Sequence, residues 1–361
     1  MSGSPSLEVV GSADDPNATL RDKQPSRFSL SQNADLLRNA GTAVVIVLLW
    51  LALSIASPVF FTSENITSVF LEWSTLAILS IGLTVVLIGG EMDLSIGSVQ
   101  AFAGIIAAQL MIVMHVAVPI GIVVAIAAAL IIGVLNAGVS RLVAAPTFVV
   151  TLAALGIVHG ATLLISNSRS ISLFPASFSW LGQGKVVGVP VPVIIALCAT
   201  ALVHVLLHQS AFGTAVFAIG GNRAAAMRCG INVTKVVIGA LVLSAVMATI
   251  AGLVTSARVD AANADLGVEQ LLNAIAAIVI GGTSLLGGKG SVVGTALGAL
   301  VVSTIRNGLV LLGVAVWAQP VILGALTLAA VMVDQIVRGE VRPALPRRRR
   351  VQASAGASPG R

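Results

Sequence analysis

The sequence predicts an all-α fold: a polytopic transmembrane helical bundle of about ten spans with N- and C-termini in the cytoplasm. Hydrophobic residues make up 57% of the 361 and charged residues only 9%, against roughly 25% charged in a soluble domain, so a water-soluble globule is excluded. Apolar windows of roughly 20 residues, enough to cross about 30 Å of hydrocarbon as helix, recur along the chain. No alternating strands of the outer-membrane-barrel kind accompany them. Lys and Arg are divided unequally between alternate connections, as the positive-inside rule requires.

Residues 1–40 are polar, rich in Ser, Asn and Asp, and lack the basic start and apolar core of a secretory signal, so they read as a loose cytosolic arm. The windows follow at about 41–61, 68–88, 94–114, 116–138, 146–166, 190–208, 233–255, 271–286, 291–312 and 318–337, a transmembrane domain of 41–337. Residues 338–361 form a basic, disordered cytosolic tail that contains Arg347–Arg350. The window from Leu94 is weakened by Ser95, Gly97, Ser98 and Gln100, and the one ending near Leu286 runs into glycines. Interrupted segments of this kind are where transporters keep a pathway.

With the N-terminus inside, Arg21, Lys23, Arg27, Arg38, Arg141, Arg223, Arg228, Lys235, Lys289 and the basic tail all fall on the inner side. Arg169, Lys185 and Arg258 fall outside, and Arg306 lies within a window. An even number of spans returns the basic tail to the side of the basic arm. The net charge of +6 therefore reflects topology and anionic lipid, and no nucleic-acid partner is expected. Cys198 and Cys229 are too few and too far apart in character for a disulfide framework. Two outer connections stand out: about 167–190, with Pro175, Trp180 and surface enough to meet a soluble partner, and about 256–270, with Arg258, Asp260, Asp265 and Glu269.

Three stretches invite chemistry. In Gly89–Ser98, GGEMDLSIGS, paired glycines open unusual backbone angles, Asp93 is placed to cap a helix starting at Leu94, and Glu91 is expected to face the cytoplasm. In Ile280–Gly290, IGGTSLLGGKG, a phosphate loop is excluded: Thr283 stands where Walker A needs Gly, and Gly290 follows Lys289 where it needs Ser or Thr. Gly290, Gly294 and Gly298 are spaced to share one helix face for close packing. In Asn222–Lys235, NRAAAMRCGINVTK, Asn222 is a good N-cap, Ala224–Met227 a short helix and Gly230 a stop. Such a helix would lie at the cytoplasmic surface with Arg223, Arg228 and Lys235 exposed.

No catalytic or metal site is expected. HExxH and GxSxG are absent, and His204 and His208, one turn apart, read as packing residues. An intramembrane charge is a functional signal by default. Arg306 is the deep one, with Glu72 or Asp334 as the available partners.

The combination of GGEMDLSIGS, PTFVVTLAALGIVHG, AIGGNRAAAMRCGINVTK and LLNAIAAIVIGGTSLLGGKGSVVGTALGAL resembles the permease subunits of bacterial ATP-binding-cassette sugar importers, of the ribose, xylose and arabinose type. The likeness covers roughly 41–337. It implies a protein of the bacterial cytoplasmic membrane with no cofactor of its own, since ATP and Mg are bound by a separate, tandem-cassette ATPase. The partners it implies are a second permease copy, that ATPase and an extracytoplasmic sugar-binding protein. Asn222, Arg223, Ala224, Ala225, Ala226, Met227, Arg228, Cys229, Gly230, Ile231 and Asn232 would then be the coupling helix docked on the ATPase. Gly89, Gly90, Asp93, Ser95, Gly97, Ser98, Asn136, Thr147, Thr151, Asn273, Gly281, Gly282, Thr283 and Ser284 would line or frame the path. Three positions depart from the family pattern: Ala137 follows Asn136 where Gly is common, Asn273 stands where Asp is usual, and Glu91 replaces a usually apolar residue. Branched-chain amino acid and nucleoside permeases share the ten-span scheme. An ion-coupled carrier, the reading of another class, would need ionisable residues near the midplane, where this chain offers Arg306.

Overall fold

The computed structural model describes residues 27–337; the arm up to residue 26 and the tail from residue 338 lie outside the described residues. In chain order the elements are α1 (Arg27–Ala56), α2 (Ser63–Ile88), α3 (Ile96–Ala108) continued by a π-helical turn (Gln109–Val113), α4 (Val118–Leu142), α5 (Thr147–Ser166), β1 (Ile171–Ser172), α6 (Ala176–Gln183), β2 (Lys185–Val186), β3 (Val189–Pro190), α7 (Val191–Gln209), α8 (Ala211–Gly221), α9 (Arg223–Arg228), α10 (Val233–Val259), β4 (Ala261–Ala262), α11 (Leu266–Ile280), α12 (Val292–Leu311), a 3₁₀ turn (Val316–Ala318) and α13 (Gln319–Val337).

Among the described residues, eight helices are long and apolar enough to cross a membrane: α1, α2, α3 with its π turn, α4, α5, α7, α10 and α12. The runs Glu269–Ile280 in α11 and Val316–Ala329 around the start of α13 are apolar but shorter. Two boundaries differ from the expected ones. Helix α1 begins at Arg27, inside the expected loose arm, because neither proline nor glycine interrupts residues 27–40. Helix α11 begins at Leu266, so Glu269 sits in its first turn and not in a loop.

A helix that is apolar on every side belongs in the centre, and α2 meets that condition: from Trp73 to Ile88 every residue is buried. It packs against α7, α10, α11 and α12, while α10 also meets α3 and α4. Small residues allow close crossings, Gly82 of α2 lying against Met247 and Ser244 of α10 and Gly252 of α10 against the Gln100 backbone of α3. The peripheral helices turn Leu48, Leu51 and Ile55 of α1, Ile131 and Leu135 of α4, and Leu152 and Ile157 of α5 outward. An apolar belt of this kind is stable in hydrocarbon and not in water.

The 167–190 connection is folded onto the end of α10. Strand β1 pairs antiparallel with β4, and β2 with β3. Asp260, left-handed at φ +53°, accepts from Phe174 N at 3.0 Å and Ser179 Oγ at 3.1 Å.

Candidate functional site

Helix α2 stops because two glycines follow Ile88. Gly89 holds φ −68° and ψ −3°, and Gly90 reverses the chain at φ +73°. Gly90 N donates to Leu87 O at 2.9 Å and Glu91 N to Val86 O at 3.1 Å, the paired bonds of a Schellman end. The chain then runs without helix to Ser95. Non-helical backbone buried inside a membrane bundle must find partners within the protein. Here α5 supplies them: Met92 N donates to Thr147 Oγ1 at 3.2 Å, and Leu94 N to Thr151 Oγ1 at 3.1 Å.

Asp93 anchors the dip, with a side chain buried to 2% exposure. Its Oδ1 accepts from Ser95 N at 2.9 Å and Ser95 Oγ at 2.6 Å, and its Oδ2 from Ser244 Oγ of α10 at 2.8 Å. Asn136 Nδ2 of α4 donates to Ser95 Oγ at 3.0 Å. The expected cap is therefore corrected: α3 starts at Ile96 behind Ser95, which makes no side-chain cap bond. Asp93 is occupied in a turn with Ser95 and in a tie to α10.

Helix α11 ends the same way. Gly281 holds φ −69° and ψ −3°, Gly282 takes φ +79°, and Thr283 N returns to Ile278 O at 3.1 Å. Hydroxyls fill the space behind it: Thr84 and Thr295 share a hydrogen bond of 2.8 Å, and Ser291 N donates to Thr283 Oγ1 at 3.3 Å. The expected three-glycine face is corrected in one member, since α12 starts at Val292 and Gly290 precedes it. Gly290 fits between Ile88 and Thr283 instead. Gly294 and Gly298 do face α11, against the carbonyls of Gly281 and Ala277, where a side chain has no room.

The third stretch closes onto the first two. Gly220 of α8 lies on the Ile88 carbonyl, leaving no space for a Cβ, and Gly288 N donates to Ile88 O at 2.8 Å. Three glycine-rich junctions, far apart in sequence, thus touch backbone to backbone. From that knot α9 emerges. Asn222 Oδ1 accepts from Ala225 N at 3.0 Å, as an N-cap should. Ile231 N reaches back to Ala226 O at 3.1 Å across Gly230 at φ +81°, and Asn232 Oδ1 accepts from Lys235 N at 3.1 Å to start α10. Only Ala226 of α9 is buried; Arg223, Ala224, Ala225, Met227 and Arg228 are exposed, as are Cys229 and Asn232 on its exit.

One side chain that was expected to face the cytoplasm is inside this knot. Glu91, 8% exposed, holds Arg141 Nη2 of α4 at 2.6 Å and Arg223 Nη1 of α9 at 2.9 Å, both on Oε1. Its Oε2 accepts from Thr147 Oγ1 at 2.7 Å. The sequence presents Arg141 only as a topology signal and Arg223 as an exposed residue of the short helix. The signal available in sequence was charge contrast, because Glu91 and Asp93 are the only acids between Asp35 and Asp334 on segments expected inside.

At the opposite ends of the helices Arg306 bridges Glu72 of α2 at 3.0 Å and Glu269 of α11 at 3.1 Å. Glu72 is the partner the sequence offers, whereas Glu269, expected in a loop, reaches Arg306 because it lies in the first turn of α11. The other expected partner, Asp334, has its side chain outside the described residues. His204 and His208 lie ring to ring at 4.2 Å on α7.

Residues 65–331 match the family described as branched-chain amino acid transport system / permease component. The chain belongs to this permease family. Among its relatives, the ribose import permease protein of Escherichia coli strain K12 is 36% identical over 299 residues, 81% of this chain and 92% of the relative. The ribose import permease protein of Bacillus subtilis strain 168 is 33% identical over 302 residues, 83% and 94% of the two chains. The D-allose transport system permease protein of Escherichia coli strain K12 is 32% identical over 320 residues, 88% and 96%. No solved structure matches the chain. Family and spanning helices together make it a transport component, a multi-pass permease of the bacterial inner membrane.

The permease gathers most of the residues singled out from its sequence into one region. Asp93, Ser95, Asn136, Thr147 and Thr151 form one hydrogen-bonded group; Gly90 joins the adjoining glycine knot through Gly287, while Gly281 packs on Gly294 of α12 and Thr283 on Gly290. Gly97 lies instead against Gly267 at the start of α11, and Ser98 Oγ donates to Leu155 O of α5 at 2.9 Å. Asn273 is buried in α11 with its Nδ2 unpartnered among the described residues.

Proposed function

We propose that this permease is the membrane subunit of an ATP-binding-cassette importer that moves a monosaccharide of the pentose or hexose class. An extracytoplasmic binding protein delivers the sugar, two permease copies form the path, and a separate cytosolic ATPase of the tandem-cassette kind binds ATP and Mg. The observation that carries this reading is α9. A short capped helix with almost every side chain exposed follows directly on α8, whose Gly220 lies on the Ile88 carbonyl, and reaches Glu91 beyond the end of α2 through Arg223. Such an element has no core of its own to serve, and a groove on a soluble partner would cover it. The relatives named for ribose and allose support the solute class.

In this mechanism the chain performs no chemistry. ATP binding and hydrolysis move the ATPase halves, each α9 follows as a rigid unit, and its tie to Glu91 passes the displacement to the segment between α2 and α3. Access then alternates between two states of the dimer. The residues around Asp93 and Thr283 frame the path, while Arg306 with Glu72 and Glu269 ties the outer ends.

The test is reconstitution of the permease in liposomes with a tandem-cassette ATPase and a sugar-binding protein from its own source. ATP-dependent uptake of labelled ribose, arabinose or allose is expected. Uptake of leucine in their place would favour the second reading, a branched-chain amino acid permease, which the family description supports. Uptake without any ATPase would overturn both in favour of an ion-driven carrier.

A further inference from the structure

We infer that Glu91 is the positioning residue through which α9 is held to the path-framing segment, an electrostatic strut in place of the apolar side chain that the resemblance leads one to expect there. The inference rests on the coupling reading of α9 and deepens it. Three independent features support it.

The first is geometry. One carboxylate joins two regions far from each other in the chain: Arg223, which opens α9, and the α4–α5 connection, where Arg141 lies in the last turn of α4 and Thr147 opens α5. Thr147 Oγ1 in turn accepts from Met92 N, so the same group that takes up Arg223 fixes the start of the dip that Asp93 anchors. A displacement of α9 that keeps the ion pair must carry residues 91–93 with it.

The second is charge balance. Two guanidiniums meet one carboxylate, and among the described residues neither Arg141 nor Arg223 pairs with another acid. Arg141 is three-quarters covered and its Nε is buried without a hydrogen bond. Removing the Glu91 charge therefore leaves a half-enclosed cation cluster that repels Arg223, whereas an exposed ion pair would lose little.

The third is the lack of an alternative hold. Within α9 only Ala226 is buried, so the helix has almost no apolar anchor of its own. Apart from Ala226 and the Ile231 N to Ala226 O bond that lead into α10, its hold on the bundle is the Gly220 backbone contact behind it and Arg223 in front. The first fixes the point from which α9 leaves the bundle, and the second fixes the direction it takes.

The test is amide hydrogen exchange of the full-length permease in nanodiscs, without ATPase or solute, read on the peptide spanning 222–231. Loss of a local tie raises local opening without unfolding the core. Glu91→Gln and Arg223→Gln are each expected to speed exchange in α9 by roughly tenfold, while the double variant adds nothing further, the non-additivity of two groups acting through one contact. Exchange in α2 stays as in the parent. Arg223→Lys, which keeps the cation, restores the slow exchange, and Arg228→Gln, outside the cluster, leaves it unchanged. Should Glu91→Gln fail to assemble, Arg223→Gln at the exposed end of the pair reads the same link. Parent-like exchange in Arg223→Gln overturns the inference, as does an equal increase in Arg228→Gln. Because no ATPase is present, failure of the coupling reading would show in the transport assay and not in this one.

Discussion

At Gly89 and at Gly281 two helices end with nearly the same backbone: φ −68° and −69°, ψ −3° at both, then a left-handed glycine at +73° or +79°. The local sequence Ile-Gly-Gly is common to both ends, and so is the cap. Beyond the cap they part. After Gly90 the chain carries Glu91 and Asp93, sinks between α4, α5 and α10, and is held by ion pairs and hydrogen bonds to side chains. After Gly282 it carries hydroxyls and more glycine, and is held by backbone contact with Ile88, Gly90 and Gly220. Side-chain electrostatics can be broken and remade as water or a partner charge arrives, whereas a steric backbone fit has no second arrangement close by. In the coupling account the second junction is therefore the pivot and the first is the part that moves.

The largest expected effect comes from the contact on which both junctions depend. Gly220→Val forces a side chain into the Ile88 carbonyl and should destabilise the permease by about 3 kcal/mol or prevent assembly, seen as loss of a monodisperse peak on size exclusion. Next is Asp93→Ala, which strands Ser95 N, Ser95 Oγ and Ser244 Oγ in the interior at a cost of about 2 kcal/mol. Thermal unfolding in detergent should place Asp93→Asn between it and the parent. A smaller loss, about 1 kcal/mol, is expected for Ser291→Ala, which removes the N-cap bond to Gly294 N of 3.1 Å. Ser95→Ala in the same assay should cost more than Ser291→Ala although both precede helices, because Asn136 and Asp93 also lose a partner. Equal costs would erase the distinction drawn between the junctions. Least affected is Thr84→Val, which gives up one hydroxyl pair with Thr295 and should lower stability by about 0.5 kcal/mol.

Much of this architecture was legible in the residues. Eight of the expected windows fall on helices long and apolar enough to span, because length and apolarity are set by the bilayer, while those at 271–286 and 318–337 meet shorter apolar runs among the described residues; the Asn222 cap and Gly230 stop are legible because both are local. What the sequence did not disclose is what depends on who sits opposite. Asp93 looked like a cap because a cap needs only its own helix, while Ser244 lies far along the chain. Glu91 looked like a cytoplasmic carboxylate because Arg141 and Arg223 served equally well as topology signals. Gly290 fitted a three-residue face by spacing alone, and the helix began two residues too late to include it. Glu269 was missed as a partner of Arg306 because the edge of α11 was set too far along the chain.

The central claim, that α9 transmits an ATPase stroke to these junctions, is tested most directly by Ala225→Pro. Proline at this position deletes the N–H that Asn222 Oδ1 accepts at 3.0 Å and so removes the cap that starts the helix. In the reconstituted transporter, sugar moved per ATP hydrolysed should fall by roughly tenfold, the size of a typical coupling free energy, while the protein still inserts and the ATPase still turns over. Parent-like uptake per ATP in that variant would contradict the account.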